Sequence, residues 1–161
     1  MGRPLAGAGS VVVAAPADQV WAALLDPAVL CSLIPGAERV EQVGEGRFRA
    51  VIMFGVSRLR SRCEAGLQMS DLEHPCRLTL AGDAAGLFGG GSAVGHVTLA
   101  ERTPGQTMLT WRYAGMVSGP ITLAGGRLLR VASDVFVNQF FQGLTRWAPR
   151  GGASPSRRRT G

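Results

Sequence analysis

The sequence has no apolar run long enough to cross a bilayer or to serve as a secretory h-region. "VVVAAPA" is cut short at Asp18, and Met1 to Ser10 holds nothing comparable. A cytosolic protein is the expectation. Cysteine is scarce: Cys31, Cys63 and Cys76 are odd in number and lack CxxC spacing, which excludes a disulfide framework and a zinc knuckle and leaves free thiols. No HExxH, no Ser-His-Asp arrangement and no phosphate-cradling loop occurs, since "GLFGGGS" follows no strand-turn-helix pattern and reads as a strand connection. Of the two histidines, His96 alternates outward from Val97 and Leu99. His74 sits in the turn "LEHPC", sharing a loop with Asp71 and Glu73 without ligand spacing. Neither is placed for general acid–base work, which needs a titratable group at hydrogen-bond reach of a substrate. The expectation is therefore no catalytic residues, no metal and no enzyme.

Lysine is absent, so all 17 basic residues are arginine, and the net charge is +6. Four of them, Arg150, Arg157, Arg158 and Arg159, fall in "RGGASPSRRRTG"; without these, thirteen arginines face eleven acids, a net of +2. The excess thus belongs to a tail. Residues 149–161 have a Gly/Ser/Pro/Arg composition that cannot build a core, and disorder is expected there. A solubilising terminus is the plainer reading of this tail. Weak contact with an anionic membrane surface is the functional one, each arginine contributing about 1 kcal/mol and the whole binding reversibly without an apolar anchor. Nucleic acid is excluded as a partner, because no aromatic residues are interleaved with the arginines.

What is present is apolar. Nearly half of the 161 residues are hydrophobic, enough for one domain with a sizeable core. Residues 1–8 read as a flexible N-terminus, 9–148 as the domain. "SVVVAA" reads as a strand, and Pro16 to Asp18 opens a helix through Leu25. Asp26-Pro27 restarts the chain as a second short helix, which Pro35-Gly36 ends. Six more strands follow: "AERVEQV", "EGRFRAVIMF", "SRLRSRCEAGLQMS", "PCRLTLAGDA", "SAVGHVTLAE" and "QTMLTWRYAGMV". A long helix then runs from Pro120 to Trp147. The order argues an α+β domain with an antiparallel sheet.

A two-residue loop at Gly55-Val56 would place Ile52 opposite Leu59, Ala50 opposite Ser61, Phe48 opposite Cys63 and Arg49 opposite Arg62. One face is then small and apolar and the other carries Arg47, Arg49, Arg58, Arg60 and Arg62, as in a sheet with one wet side. A solvated face explains that row more simply than a docking site for an acidic partner. On the last helix, 100° steps gather Gly125, Leu128, Leu129, Ala132, Phe136, Gln139, Phe140 and Gly143, leaving Arg127, Arg130, Ser133, Asp134 and Asn138 mainly elsewhere. The sheet positions turned toward that stripe mix large (Phe48, Ile52, Leu59, Leu109, Trp111, Tyr113) with small (Ala50, Ser61, Gly95, Gly115). Such a mixture fits either a tight core or a cavity.

"VWAALLDPAVLCSLIPGAE", "GGGSAVGHVTL", "LTWRYAGMVSG" and "GGRLLRVASDVFVNQFF" resemble the matching segments of the carbon monoxide dehydrogenase CoxG family, in the same order and spacing from about Gly9 to Trp147. The marks with most specificity are "DP…IPG.E" and "G.RLL…FF". The resemblance implies a helix-grip domain similar to the START and birch-pollen-allergen folds: a seven-stranded antiparallel sheet around a long C-terminal helix, with two short helices after the first strand. Those helices would form a V whose apolar side, with Trp21, Leu24, Leu25, Leu30 and Ile34, closes one end of the sheet. The resemblance also implies a hydrophobic cavity holding a quinone or lipid, and association with a molybdenum hydroxylase in maturation or membrane recruitment. The location would be cytoplasmic, peripheral at the inner membrane face. The contacts expected for the guest are Phe48, Ile52, Leu59, Trp111, Tyr113, Leu128, Ala132, Phe136, Gln139 and Phe140, with Tyr113 or Gln139 meeting a ring carbonyl. No cofactor beyond that guest is expected. An assembly factor without a ligand, or a cyclase-like or hydrolase-like enzyme, is the alternative. Where many relatives read "CIPGCE" this chain reads "LIPGAE", so no role of that cysteine pair carries over to Leu33 and Ala37.

Overall fold

The computed structural model describes residues 2–56 and 58–148. The tail expected at 149–161, with Arg150, Arg157, Arg158 and Arg159, lies outside the described residues. Strand β1 (Gly2–Val13) leads to helices α1 (Ala17–Leu24) and α2 (Pro27–Leu33). Strands β2 (Ala37–Gly44), β3 (Arg47–Val56), β4 (Leu59–Glu73), β5 (Arg77–Gly86), β6 (Gly89–Thr103) and β7 (Gln106–Ser118) follow. A 3-10 turn (Pro120–Ala124) then precedes helix α3 (Gly126–Arg159). The strands form one antiparallel seven-stranded sheet in the order β1-β7-β6-β5-β4-β3-β2, folded about α3: the α+β helix-grip architecture.

The two short helices owe their ends to local chemistry and to one distant carboxylate. Asp26 caps α2, its carboxylate accepting from the Ala28 amide at 2.9 Å, while Pro27 occupies the first helical position, where a missing N–H costs nothing. Pro16 cannot cap α1 with a side chain; instead Glu101 of β6 accepts from the Ala17 amide at 3.0 Å. The buried Thr107 hydroxyl donates to the Ala15 carbonyl at 2.8 Å and ties the end of β1 to the start of β7. Trp21, Leu24 and Leu30 are buried, and Leu25 and Ile34 pack partly buried against the same core. Their partners are Leu99 and Leu109 of the sheet and Phe140, Phe141, Leu144 and Ala148 of α3. This end of the grip is solid.

Three expectations need correction. Residues 2–8, expected as a flexible terminus, belong to β1, paired with β7 from Gly2 opposite Ser118 to Val13 opposite Thr107. Their Gly and Ala content suggests a loop, yet Gly7 and Gly9 lie under the rings of Tyr113 and Trp111, which cover the bare backbone. The β3–β4 hairpin closes beyond the expected loop, with Val56 opposite Leu59 and Ile52 opposite Cys63. Gly55 (φ 135°) is not a turn residue; it stands opposite Arg60 inside the ladder, where a Cβ would strike the Leu59 carbonyl oxygen. The slip is four residues, an even number, so each side chain keeps its face. Arg49 consequently faces Gly66, and Arg62 instead forms an exposed two-bond pair with Glu38 at 2.8 and 3.1 Å. The hydrogen bond from Arg62 holds the Glu38 carboxyl below its ordinary pKa. Finally, the long helix does not start at Pro120: the 3-10 turn ends at Gly125 (φ 96°), and α3 begins at Gly126.

Candidate ligand-binding cavity

Opposite the C-terminal part of α3 the sheet presents Val97, Leu99, Leu109 and Trp111, and the space is filled. Opposite the first turns it presents Ala50, Ala65, Gly82, Gly91, Gly95 and Gly115, side chains too short to reach Leu129, Ala132 and Phe136. The result is a cavity of about 600 Å³, open at one end, within the range of small-molecule sites. Its floor is aromatic: the Trp111 and Phe141 rings stack at 4.1 Å and 15°, and Phe140 meets Phe141 edge-on at 4.9 Å. Phe54 and Phe136 meet edge-on at 5.4 Å across the wall, and Ile34, Pro35 and Gly36 close the side beyond α2. A larger depression of about 800 Å³ lies on the outer face of the sheet, around Gly66, Asp83 and Ser92. It is a saddle on a curved sheet, floored by backbone and flanked by Arg47 and Arg49, and it encloses nothing.

Of the ten expected contacts, Phe48, Ile52, Trp111, Tyr113, Ala132, Phe136, Gln139 and Phe140 lie on the cavity. Leu59 does not, because the hairpin slip carries it to a satellite cluster with Val117 and Ile121 beneath the 3-10 turn. Leu128 does not either; it is 44% exposed on the far side of α3. The buried stripe of α3 is rotated toward Ser133, Val137, Phe141 and Leu144, pulled by the Trp111–Phe141 stack and by Leu144, which is wholly buried. Gln139 accordingly sits exposed at the rim.

That rotation brings in two polar residues that the helix spacing places elsewhere. Asp134 accepts a hydrogen bond from the Tyr113 hydroxyl at 2.9 Å, and Ser133 lines the cavity with a buried Oγ that has no hydrogen-bond partner. The one signal of this arrangement in the chain is Gly7, directly opposite Tyr113: a Cβ there would lie 2.6 Å from the ring and 2.9 Å from Asp134 Oδ1. Burial pushes the Tyr113 phenol above its ordinary pKa; the nearby Ser133 hydroxyl opposes the rise and Asp134 adds to it. A phenol with a raised folded-state pKa contributes stability that is complete below about pH 10 and is lost as pH climbs through the raised value. Tyr113 is the single tyrosine of the chain, so tyrosinate absorbance reports it alone. The expected titration midpoint lies above 10 in the folded protein and returns to about 10 in urea; a midpoint at or below 10 in the folded state would contradict the placement.

The remaining candidates lie apart from the cavity. Glu73 pairs with Arg77 at 3.0 Å, and the His74 ring packs edge-on against Trp21 at 5.3 Å. His96 faces outward as expected, its Nδ1 3.3 Å from the Thr79 hydroxyl on the sheet's outer side. Among the described residues no helix is long and apolar enough to cross a membrane.

A sheet gripping a terminal helix around an apolar hollow defines a START-like helix-grip domain. The pattern that characterises the carbon monoxide dehydrogenase CoxG family matches residues 9–148, and the chain belongs to that family. Among solved structures, a conserved protein from Geobacillus kaustophilus is similar at 25% identity and TM-score 0.83, covering 90% of this chain and 95% of that one. A START superfamily protein from Mycobacterium smegmatis has the same fold at 11% identity and TM-score 0.71, with 90% and 97% covered. So does the Zhui aromatase/cyclase from Streptomyces sp. R1128, at 17% identity and TM-score 0.62, with 92% and 95% covered. No curated protein matches the chain.

Proposed function

We propose that this protein is a non-catalytic carrier that takes an apolar molecule, an isoprenoid quinone or comparable lipid, into the cavity beneath α3. It would serve a molybdenum hydroxylase of the carbon monoxide dehydrogenase type, in maturation or membrane recruitment, from the cytoplasmic side. The observation that carries this reading is the hollow itself: some 600 Å³ walled by aliphatic and aromatic side chains and open to the exterior. Burying roughly 300 Å² of ligand surface at about 25 cal/mol per Å² supplies about 7 kcal/mol before ordering costs, enough to hold a guest and weak enough to release it. Family membership supports the partner, and the wall supports the class of guest. The Tyr113–Asp134 pair has no histidine or other proton acceptor beside it to form a relay, which favours holding over turnover.

The test is direct. Protein purified without detergent is extracted with organic solvent and analysed by mass spectrometry, and stripped protein is then titrated with a neutral fluorescent reporter such as N-phenyl-1-naphthylamine. The expected result is a co-purifying quinone or lipid, and a saturable rise in fluorescence after stripping. An empty extract together with no reporter uptake would overturn the carrier.

A further inference from the structure

We infer that the guest ends in a hydroxyl group, received between Ser133 and Tyr113, so that the cavity selects neutral apolar alcohols, phenols or quinols over carbonyl, ether and carboxylate analogues. The inference rests on the carrier reading and deepens it.

Donors and acceptors are unbalanced at one place on the wall. Tyr113 carries a single O–H, and it is spent on Asp134 Oδ1 at 2.9 Å. Its oxygen is left able only to accept. Ser133 Oγ is buried against the cavity with neither its proton nor its lone pairs engaged, and an unpaired buried hydroxyl costs free energy that a partner would recover. A ligand O–H satisfies both residues at once: it donates to the Tyr113 oxygen and accepts from Ser133. A carbonyl or ether oxygen takes the Ser133 proton alone and sets its lone pairs against those of Tyr113. A carboxylate does worse, because it also faces Asp134. Arg130 stands one turn before Asp134, yet among the described residues no arginine lies within ion-pair distance of that carboxylate to offset a second negative charge. The station is held in place from three elements. Gly7 of β1 leaves room for the Tyr113 ring, β7 carries the ring, and α3 supplies Ser133 and Asp134 on adjacent positions, with the Asp134 carbonyl accepting from Asn138 at 2.8 Å.

The experiment is displacement of N-phenyl-1-naphthylamine at neutral pH by three probes of equal chain length: dodecanol, dodecyl methyl ether and dodecanoate. Dodecanol is expected to compete about fivefold to tenfold better than the other two, the worth of one to two hydrogen bonds. Ser133→Ala should bring dodecanol to parity with the ether without altering the affinity for the reporter, and Ser133→Thr, which keeps the hydroxyl, should retain most of the preference. Equal competition by alcohol and ether in the unmodified protein would overturn the inference while leaving the carrier intact, and that comparison needs no variant to fold. An unchanged preference in Ser133→Ala would overturn it as well. If the reporter does not bind at all, the carrier fails and the inference with it.

Discussion

Gly95→Phe is expected to exclude apolar guests from the cavity while leaving the fold standing. Gly95 is in the middle of β6, between Leu80 and Tyr113 on neighbouring strands, and it faces the hollow. A Cβ added there meets its nearest neighbours, the Arg112 carbonyl oxygen and Tyr113 Cβ, at 3.6 Å, which is ordinary contact. The new ring therefore grows into empty space, and an aromatic residue suits a strand better than glycine does. Displacing roughly 100 Å² of guest contact at about 25 cal/mol per Å² removes about 2.5 kcal/mol, between one and two decades in Kd. Reporter titration would show the loss, with circular dichroism and the urea midpoint close to those of the unmodified protein. Ala132→Phe, which fills the same space from the helix side, should act in the same direction. Undiminished binding in both variants would mean that apolar molecules are held somewhere other than beneath α3.

Trp111→Ala carries the largest expected cost in stability. Trp111 is 3% exposed, stacks on Phe141 and covers Gly9 of the edge strand, so it joins sheet, helix and β1 at one point. Truncation of a buried aromatic residue costs about 3–5 kcal/mol, a large share of the roughly 5–15 kcal/mol that holds a domain of this size together. The urea unfolding midpoint is expected to fall accordingly, with little change in slope. A loss below about 1 kcal/mol would show that the ring is not the floor of the cavity.

Local signals in the chain foretell much of this and distant contacts do not. Asp26-Pro27 and Pro35-Gly36 end the short helices through chemistry carried by those residues themselves, and both breaks fall where expected. The apolar face of β3 and β4 was legible because a two-residue period survives an even slip. The register was not, because Gly55 has the composition of a turn and the job of a close approach. The capping of α1 depends on Glu101, 84 residues away, and no window around Ala17 contains it. The same holds for the cavity. Eight of its expected residues could be placed from alternation along strands and the approximate phase of α3. Leu128 and Gln139 went astray because α3 is apolar on more than one side, and the stack on Trp111 chooses among them. Ser133, Tyr113 and Asp134 come together only when β1 passes beneath the ring, a consequence of tertiary pairing that Gly7 alone announces.

The uneven filling of the grip bears on how a guest leaves. Cohesion is concentrated where Leu30, Leu109 and Leu144 meet, each wholly out of contact with water, whereas the neighbourhood of the 3-10 turn is secured by little more than Val117, Ile121 and Leu129. Free energies of partial opening follow such differences in contact density. The mouth can therefore breathe on its own, and release of cargo need not wait for the domain to unfold.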